Sequence, residues 1–219
     1  MMAKYDTIVF DFDGVVADTA PDIVNCMRMV IETVGSTPRT DEHIAKSIGG
    51  GAKKLLERCL DPEFHGRIDG ELLPMYNAYY DENCDVYTTL YPGVKETLQQ
   101  AKEKGIKTGL ATMKVRRATL KICDTLGITQ YFDTIVTPED VSKPKPDPES
   151  VFKILCAVGS TADKAIIIGD TKTDILTAKN SGMDCAVVPY GYGNFDDMKS
   201  ANPTYVINNV REILDIIQG

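Results

Sequence analysis

The chain has 219 residues, of which 43% are hydrophobic and 26% charged, and it carries a formal net charge of −8. That length is long for one compact domain and short for two of ordinary size, which favours one core domain carrying a smaller insert. The acidic balance argues against a nucleic-acid binder, which should present a basic face. It leaves room for a small anionic ligand held by a metal ion and a few lysines.

No run approaches the ~18 apolar residues of a membrane span, and acids interrupt the apolar start MMAKYDTIVFDFDG, so it does not read as a signal peptide. Cys26, Cys59, Cys84, Cys123, Cys156 and Cys185 lie far apart with no CxxC pair. They read as reduced thiols of a cytoplasmic protein, most of them small core residues.

In chain order, Thr7–Phe10 reads as a buried strand. Residues 20–34, 40–48, 51–60 and 67–83 then read as helices with no convincing strand among them. From Gly93 onward helix and strand alternate. Helical 94–105 precedes the strand Ile106–Thr112, and helical 116–127 precedes Asp133–Thr137. Helical 148–159 precedes Lys164–Asp170, TDILTAKNSG leads to the strand Asp184–Pro189, and TYVI with VREILDII closes the chain. Apolar strands between helices imply an α/β fold, a doubly wound, mainly parallel sheet covered on both faces. The expected division is a core of residues 1–16 and 87–219, with an α-helical cap, 17–86, inserted after the first strand.

Ligands of open parallel α/β sheets bind beyond the carboxyl ends of the strands. Asp11 and Asp13 follow the first strand and Thr112 ends the second. Lys143 and Lys145 come after the third, among prolines, while Asp170 and Asp174 follow the fourth. Each has an ordinary explanation alone: an aspartate at a strand end makes a turn or caps a helix, and KPKP reads as a solvated loop. Together at successive strand ends, carboxylates, a hydroxyl and a lysine suit a divalent cation and a phosphoryl group. Mg²⁺ takes hard oxygen ligands, an aspartate can attack phosphorus, and a second acid can serve the leaving oxygen and the water. A lysine neutralises charge that grows at the transition state.

With these motifs in place, the chain resembles the haloacid dehalogenase superfamily along essentially its whole length. DFDGVVADT is similar to the first motif, LAT to the second, KPKPDP to the third and GDTKTD to the fourth. The resemblance implies a Rossmann-like core and a Mg²⁺-dependent phosphotransferase with an aspartyl-phosphate intermediate. It makes Asp11 the nucleophile and Asp13 the acid/base. Asp11, Asp170, Asp174 and the carbonyl of Asp13 become the metal ligands, and Thr112 with the backbone at Met113 the phosphate contacts. By register it makes Lys143 the motif lysine and leaves Lys145 solvated. Met113 stands where the family commonly has asparagine, so an amide side chain is missing there.

DTAPDIV, SIGGGAKKLLERCL, YPGVKETLQQAKEKG and YGYG resemble the phosphoglycolate phosphatase branch, whose implied substrate is 2-phosphoglycolate. The alternatives are a β-phosphoglucomutase-like sugar phosphomutase, a pyrophosphatase of the same branch, and a non-enzymatic binder. Ala52 stands where the mutase typically has a cap arginine, and a binder needs neither nucleophile nor acid/base. Selectivity is expected in the cap, where Gly49, Gly50 and Gly51 open a helix that carries Lys53, Lys54 and Arg58. Exposed N–H groups and close backbone approach there suit a second anionic group, while a hinge with solvated lysines is the plainer reading. His43 and His65 read as surface or helix-end residues, and the tyrosines of MYNAYY as packing. The expected partner is a small phosphorylated metabolite, with no nucleic acid or membrane, bound by a monomer or dimer.

Overall fold

The computed structural model describes residues 3–219, so the first two residues of the expected core segment lie outside the described residues. Six parallel strands form the main sheet: β1 (Thr7–Phe10), β4 (Lys107–Ala111), β5 (Thr134–Val136), β6 (Ala165–Gly169), β7 (Asp184–Val187) and β8 (Tyr205–Val206). Their spatial order is β5-β4-β1-β6-β7-β8. The chain therefore builds outward from β1 through β4 to β5, then returns to the other side of β1 with β6. That reversal makes the ends of β4, β1 and β6 the topological switch point.

Side chains of period two sort the sheet's two faces. Ile8, Phe10, Ile166 and Ile168 join one apolar cluster with α5 (Val94–Glu103), α6 (Arg116–Thr125) and α10 (Ile213–Gln218). Val9, Ala165 and Ile167 face the other layer, with α7 (Glu149–Val158), α8 (Lys172–Ser181) and α9 (Phe195–Ser200). Both faces are covered, which is why β1 and β6 read as unbroken apolar runs.

Between β1 and β4 the chain leaves and re-enters the core along a two-stranded antiparallel ribbon, β2 (Ala17–Asp18) with β3 (Thr89–Leu90). This ribbon lies where no strand was expected. Two residues per strand are too few for an alternating pattern to show. The fully buried side of the ribbon is closed by Asp22, whose carboxylate accepts from the N–H of Tyr87 at 3.0 Å, the N–H of Thr88 at 2.8 Å and the Thr88 hydroxyl at 2.8 Å.

Beyond the ribbon lie α1 (Ala20–Val34), α2 (Asp41–Lys46), α3 (Ala52–Cys59) and α4 (Leu73–Asn83). The helix expected over 67–83 is composite, with a 3₁₀ segment Pro62–Arg67 and a π turn Ile68–Leu72 before α4. Pro74 explains the change. It has no N–H and its ring crowds the carbonyl four residues back, and Leu73 bonds instead to the Ile68 carbonyl, five back. Tyr76 and Tyr80 of α4 are buried and stacked, ring centroids 5.6 Å apart, as part of the cluster that also contains Ile23 and Met27 of α1. His43 and His65 are exposed, as expected. The six cysteines are free thiols, all buried except Cys156. Among the described residues no helix is long and apolar enough to cross a membrane.

Candidate active site

The register pairs Phe10 with both Leu110 and Ile168, so Asp11, Ala111 and Gly169 stand abreast one residue further on. Asp11 continues the ladder through its N–H, which donates to the Ile168 carbonyl at 2.9 Å, while its side chain reaches the rim. Phe12 is fully buried between the two acids. Asp13 follows, its Oδ1 accepting from the Thr19 hydroxyl at 2.6 Å and lying 3.1 Å from the Lys114 ammonium.

Asp170 is 1% exposed. Its Oδ2 accepts from the N–H of Tyr192 at 2.7 Å, while its Oδ1 is buried with no hydrogen-bond partner. The packing around it is tight: a Cβ on Gly14 would overlap the Asp170 carboxylate, and one on Gly193 would overlap the Asp170 carbonyl. Asp174 divides its oxygens. Oδ2 caps α8, accepting from the Thr171 N–H at 3.1 Å and hydroxyl at 2.6 Å, and Oδ1 turns to a lysine at 2.7 Å. The helix-capping reading of GDTKTD therefore holds for Asp174, whose second oxygen faces the site.

That lysine is Lys145. Its ammonium donates to Asp11 at 2.8 Å, to Asp174 at 2.7 Å and to the Ala111 carbonyl at 3.1 Å. The register drawn from the third motif, which put Lys143 in the site and Lys145 in solvent, is thus corrected. Lys143 has 73% of its side chain exposed and lies 3.9 Å from Asp147, away from the carboxylates. The cause is local: Glu149 accepts from the N–H groups of Ser142 (2.9 Å) and Lys143 (3.0 Å), holding that end of the loop outside. The chain turns at Pro144, whose carbonyl accepts from the Asp147 N–H at 3.0 Å, and Asn180 holds the Pro146 carbonyl at 2.8 Å. Two residues on from Lys143, Lys145 therefore faces inward.

One ligand oxygen from each of Asp11, Asp170 and Asp174 lies within 4.8 Å of the others. Burial pushes the Asp11 carboxyl up to about 7 against the pull of Lys145. It also pushes Asp170 well above the usual carboxylate range, with Asp11 and Asp174 adding to the rise. Burial alone would lower Lys145, but Asp11 and Asp174 more than offset it, so its ammonium form is favoured. With all three carboxyls ionised, one ammonium would leave an excess of negative charge. Together with the unpartnered Asp170 Oδ1, these hard oxygen donors fit Mg²⁺, which would be held by Asp11, Asp170 and Asp174.

Thr112 is buried at the end of β4, where its hydroxyl accepts from the N–H of Lys114 at 3.0 Å. Met113 lines the cavity, next to Lys114. Lys114 was not anticipated. Its ammonium, nearly buried, donates to the Tyr80 hydroxyl of α4 at 2.6 Å and faces Asp13, joining the helical block to the rim. A lysine two residues past the motif threonine was the available signal, but its neighbours lie far off in sequence.

A cavity of about 370 Å³ opens between this rim and the helical block. Gly49, Gly50 and Gly51, all with positive φ, line its far wall with Lys46, Lys54 and Arg58. Arg58 holds the turn by donating to the carbonyls of Ser47 and Gly49, each at 2.9 Å. Lys53 is placed elsewhere: it points off this wall and pairs with Asp69 at 2.7 Å. Neighbouring residues on a helix lie ~100° apart, so Lys53 and Lys54 cannot share a face.

The haloacid dehalogenase-like hydrolase family model matches residues 8–188. A phosphoglycolate phosphatase from Aquifex aeolicus is 32% identical over 212 residues, covering 97% of this chain and 96% of its own length. The structure of a haloacid dehalogenase-like hydrolase from Bacteroides fragilis superposes with a TM-score of 0.86 at 27% identity, covering 96% of this chain and 100% of that one. A predicted phosphoglycolate phosphatase from Haemophilus somnus superposes at 0.89 over 100% of both chains; at 24% identity it speaks to the fold alone. The chain belongs to the haloacid dehalogenase-like hydrolases.

Proposed function

We propose that this protein is a Mg²⁺-dependent phosphatase of small phosphate monoesters, with 2-phosphoglycolate as its substrate. The observation that carries the reading is the buried group of Asp11, Asp170 and Asp174 around the Lys145 ammonium, at the mouth of a cavity whose opposite wall is cationic. The name of the Aquifex aeolicus relative supports the choice of ester.

Asp11 is the nucleophile. Its carboxylate oxygen forms a bond to phosphorus as the ester oxygen leaves, and Asp13 supplies that oxygen with a proton. Water then attacks the phosphorus of the aspartyl-phosphate, Asp13 takes its proton, and phosphate leaves with the Asp11 carboxylate restored. Lys145 holds Asp11 in place by its 2.8 Å hydrogen bond and offsets charge on the transferring group. When bound, the metal ion supplies further charge neutralisation at the phosphoryl oxygens. Lys46, Lys54 and Arg58 give the far wall the sign that suits a substrate with a second anionic group, as the carboxylate of 2-phosphoglycolate is.

The test is phosphate release from a panel of small esters, pyrophosphate and β-glucose 1-phosphate, with Mg²⁺ and with EDTA. The expected result is release from 2-phosphoglycolate that EDTA abolishes. Isomerisation of β-glucose 1-phosphate without net phosphate release, or turnover indifferent to EDTA, would overturn it.

A further inference from the structure

Helix α1, the first of the helical block, begins with an unusual division of labour. Thr19 occupies its N-cap position, where a threonine hydroxyl ordinarily accepts from the N–H groups of the first turn. Here it makes no such bond. The Thr19 hydroxyl is spent on Asp13, donating to Oδ1 at 2.6 Å.

The N–H groups of Thr19 and Ala20 are held by a residue more than 170 positions away. The Tyr192 hydroxyl accepts from the N–H of Thr19 at 2.7 Å and of Ala20 at 2.9 Å, and donates its own proton to Asp18 at 2.8 Å. Pro21, next in the helix, has no N–H to satisfy. The hydroxyl thus has both lone pairs and its proton engaged, at a helix start where Thr19 is fully buried. Meanwhile the backbone N–H of the same residue donates to Asp170 Oδ2 at 2.7 Å. Gly191 and Gly193, which flank it in YGYG, lie where a Cβ would collide with Asp170. One residue therefore joins the loop that seats Asp170 to the point where the chain leaves the core for the helical block.

We infer that Tyr192 is a positioning residue for Asp13: by holding the Thr19 N–H it fixes the start of α1, and with it the Thr19 hydroxyl that donates to the Asp13 carboxylate. Without the tyrosine hydroxyl, the Thr19 N–H loses its acceptor in a buried setting, while the Ala20 N–H keeps only Asp18 at 3.3 Å, and the start of α1 shifts with the Thr19 hydroxyl it carries. Asp13 then loses its hydroxyl donor and keeps the Lys114 ammonium at 3.1 Å. The inference rests on the role given to Asp13 in the proposed phosphatase reaction.

Tyr192→Phe separates the two ends of the residue, because it removes the hydroxyl and keeps the backbone donor to Asp170. The expected result is a kcat lowered about tenfold, the scale of one hydrogen bond to a charged group, with KM and the Mg²⁺ affinity by calorimetry within about twofold. Thr19→Val should lower kcat similarly, and the double variant should cost less than about twofold more than either single one. Multiplicative losses in the double variant, or a lower melting temperature with kcat unchanged, would overturn the inference and leave Tyr192 as a helix cap alone. If the wild-type protein hydrolyses no ester, the proposed reaction fails first, and the inference is read by NMR at one pH. Tyr192→Phe should then deprotect the Thr19 amide and shift the Asp13 carboxyl carbon as Thr19→Val does. An Asp13 resonance that does not move would overturn it.

Discussion

The two walls of the cavity are built differently. At the sheet rim the charged groups are buried or half-buried and held from several directions: Lys145 by three acceptors, Asp174 through both oxygens, Asp170 by a backbone donor and by glycines that leave it no room to turn. On the far wall, Lys46 points from a two-turn helix and, among the described residues, pairs only with Glu42, and the three glycines sit in conformations other residues avoid. Geometry fixed in advance is what charge stabilisation at a reacting centre requires. A wall with fewer ties suits the choice among substrates, which needs only a few contacts of the right sign.

The largest effect that would break this comparison is at Asp11. Asp11→Asn should lower phosphate release about a thousandfold or more while the fold persists by circular dichroism; appreciable residual turnover would mean the rim is not the reacting wall. Lys145→Met should cost about a hundredfold or more in kcat, whereas Lys143→Met should stay within about twofold. Equal losses at the two lysines would restore the original register. At the far wall, a Cβ on Gly50 would meet the Lys54 side chain at 2.8 Å, in a backbone conformation with φ +86° that side chains resist. Gly50→Val should therefore change the preference for 2-phosphoglycolate over a neutral phosphate ester by about tenfold, with kcat on the neutral ester nearly unchanged. An unaltered preference would take selectivity away from this turn.

The smallest effect concerns how the helical block is held. Asp61 accepts from the Thr37 N–H at 2.7 Å and the Ser36 hydroxyl at 3.0 Å and pairs with Arg39, which together hold its carboxyl down at about 2. A folded-state value below the unfolded one of about 4 stabilises the protein above pH 4, and that stabilisation is lost as pH falls through 2. Asp61→Asn should lower the melting temperature by a few degrees near neutral pH, with the gap closing toward pH 2. A gap that persists there would assign the effect to packing.

The same contrast governs what could be read from the chain alone. Strands buried on both faces announce themselves as apolar runs, and the rim acids follow directly because they sit at strand ends. Asp11, Asp13, Asp170 and Asp174 were legible for that reason. Lys145 was not, because its inward turn depends on Glu149 and Asn180 gripping the loop from outside the motif. Lys114 and Tyr192 act through partners in other elements, Tyr80 and Thr19, so no spacing in the sequence betrays them. Lys53 and Lys54 could be separated only once the start of α3 was known to the residue, since one position of slip exchanges their faces.

Chemical trapping tests most directly whether Asp11 carries the phosphoryl group. Borohydride reduces an acyl phosphate to an alcohol, so quenching a single turnover of 2-phosphoglycolate into it should convert residue 11 to homoserine, read by mass spectrometry of the tryptic peptide. Homoserine is expected at position 11 and at no other aspartate. Homoserine at a different carboxylate, or an intact Asp11 throughout a turnover that releases phosphate, would contradict it.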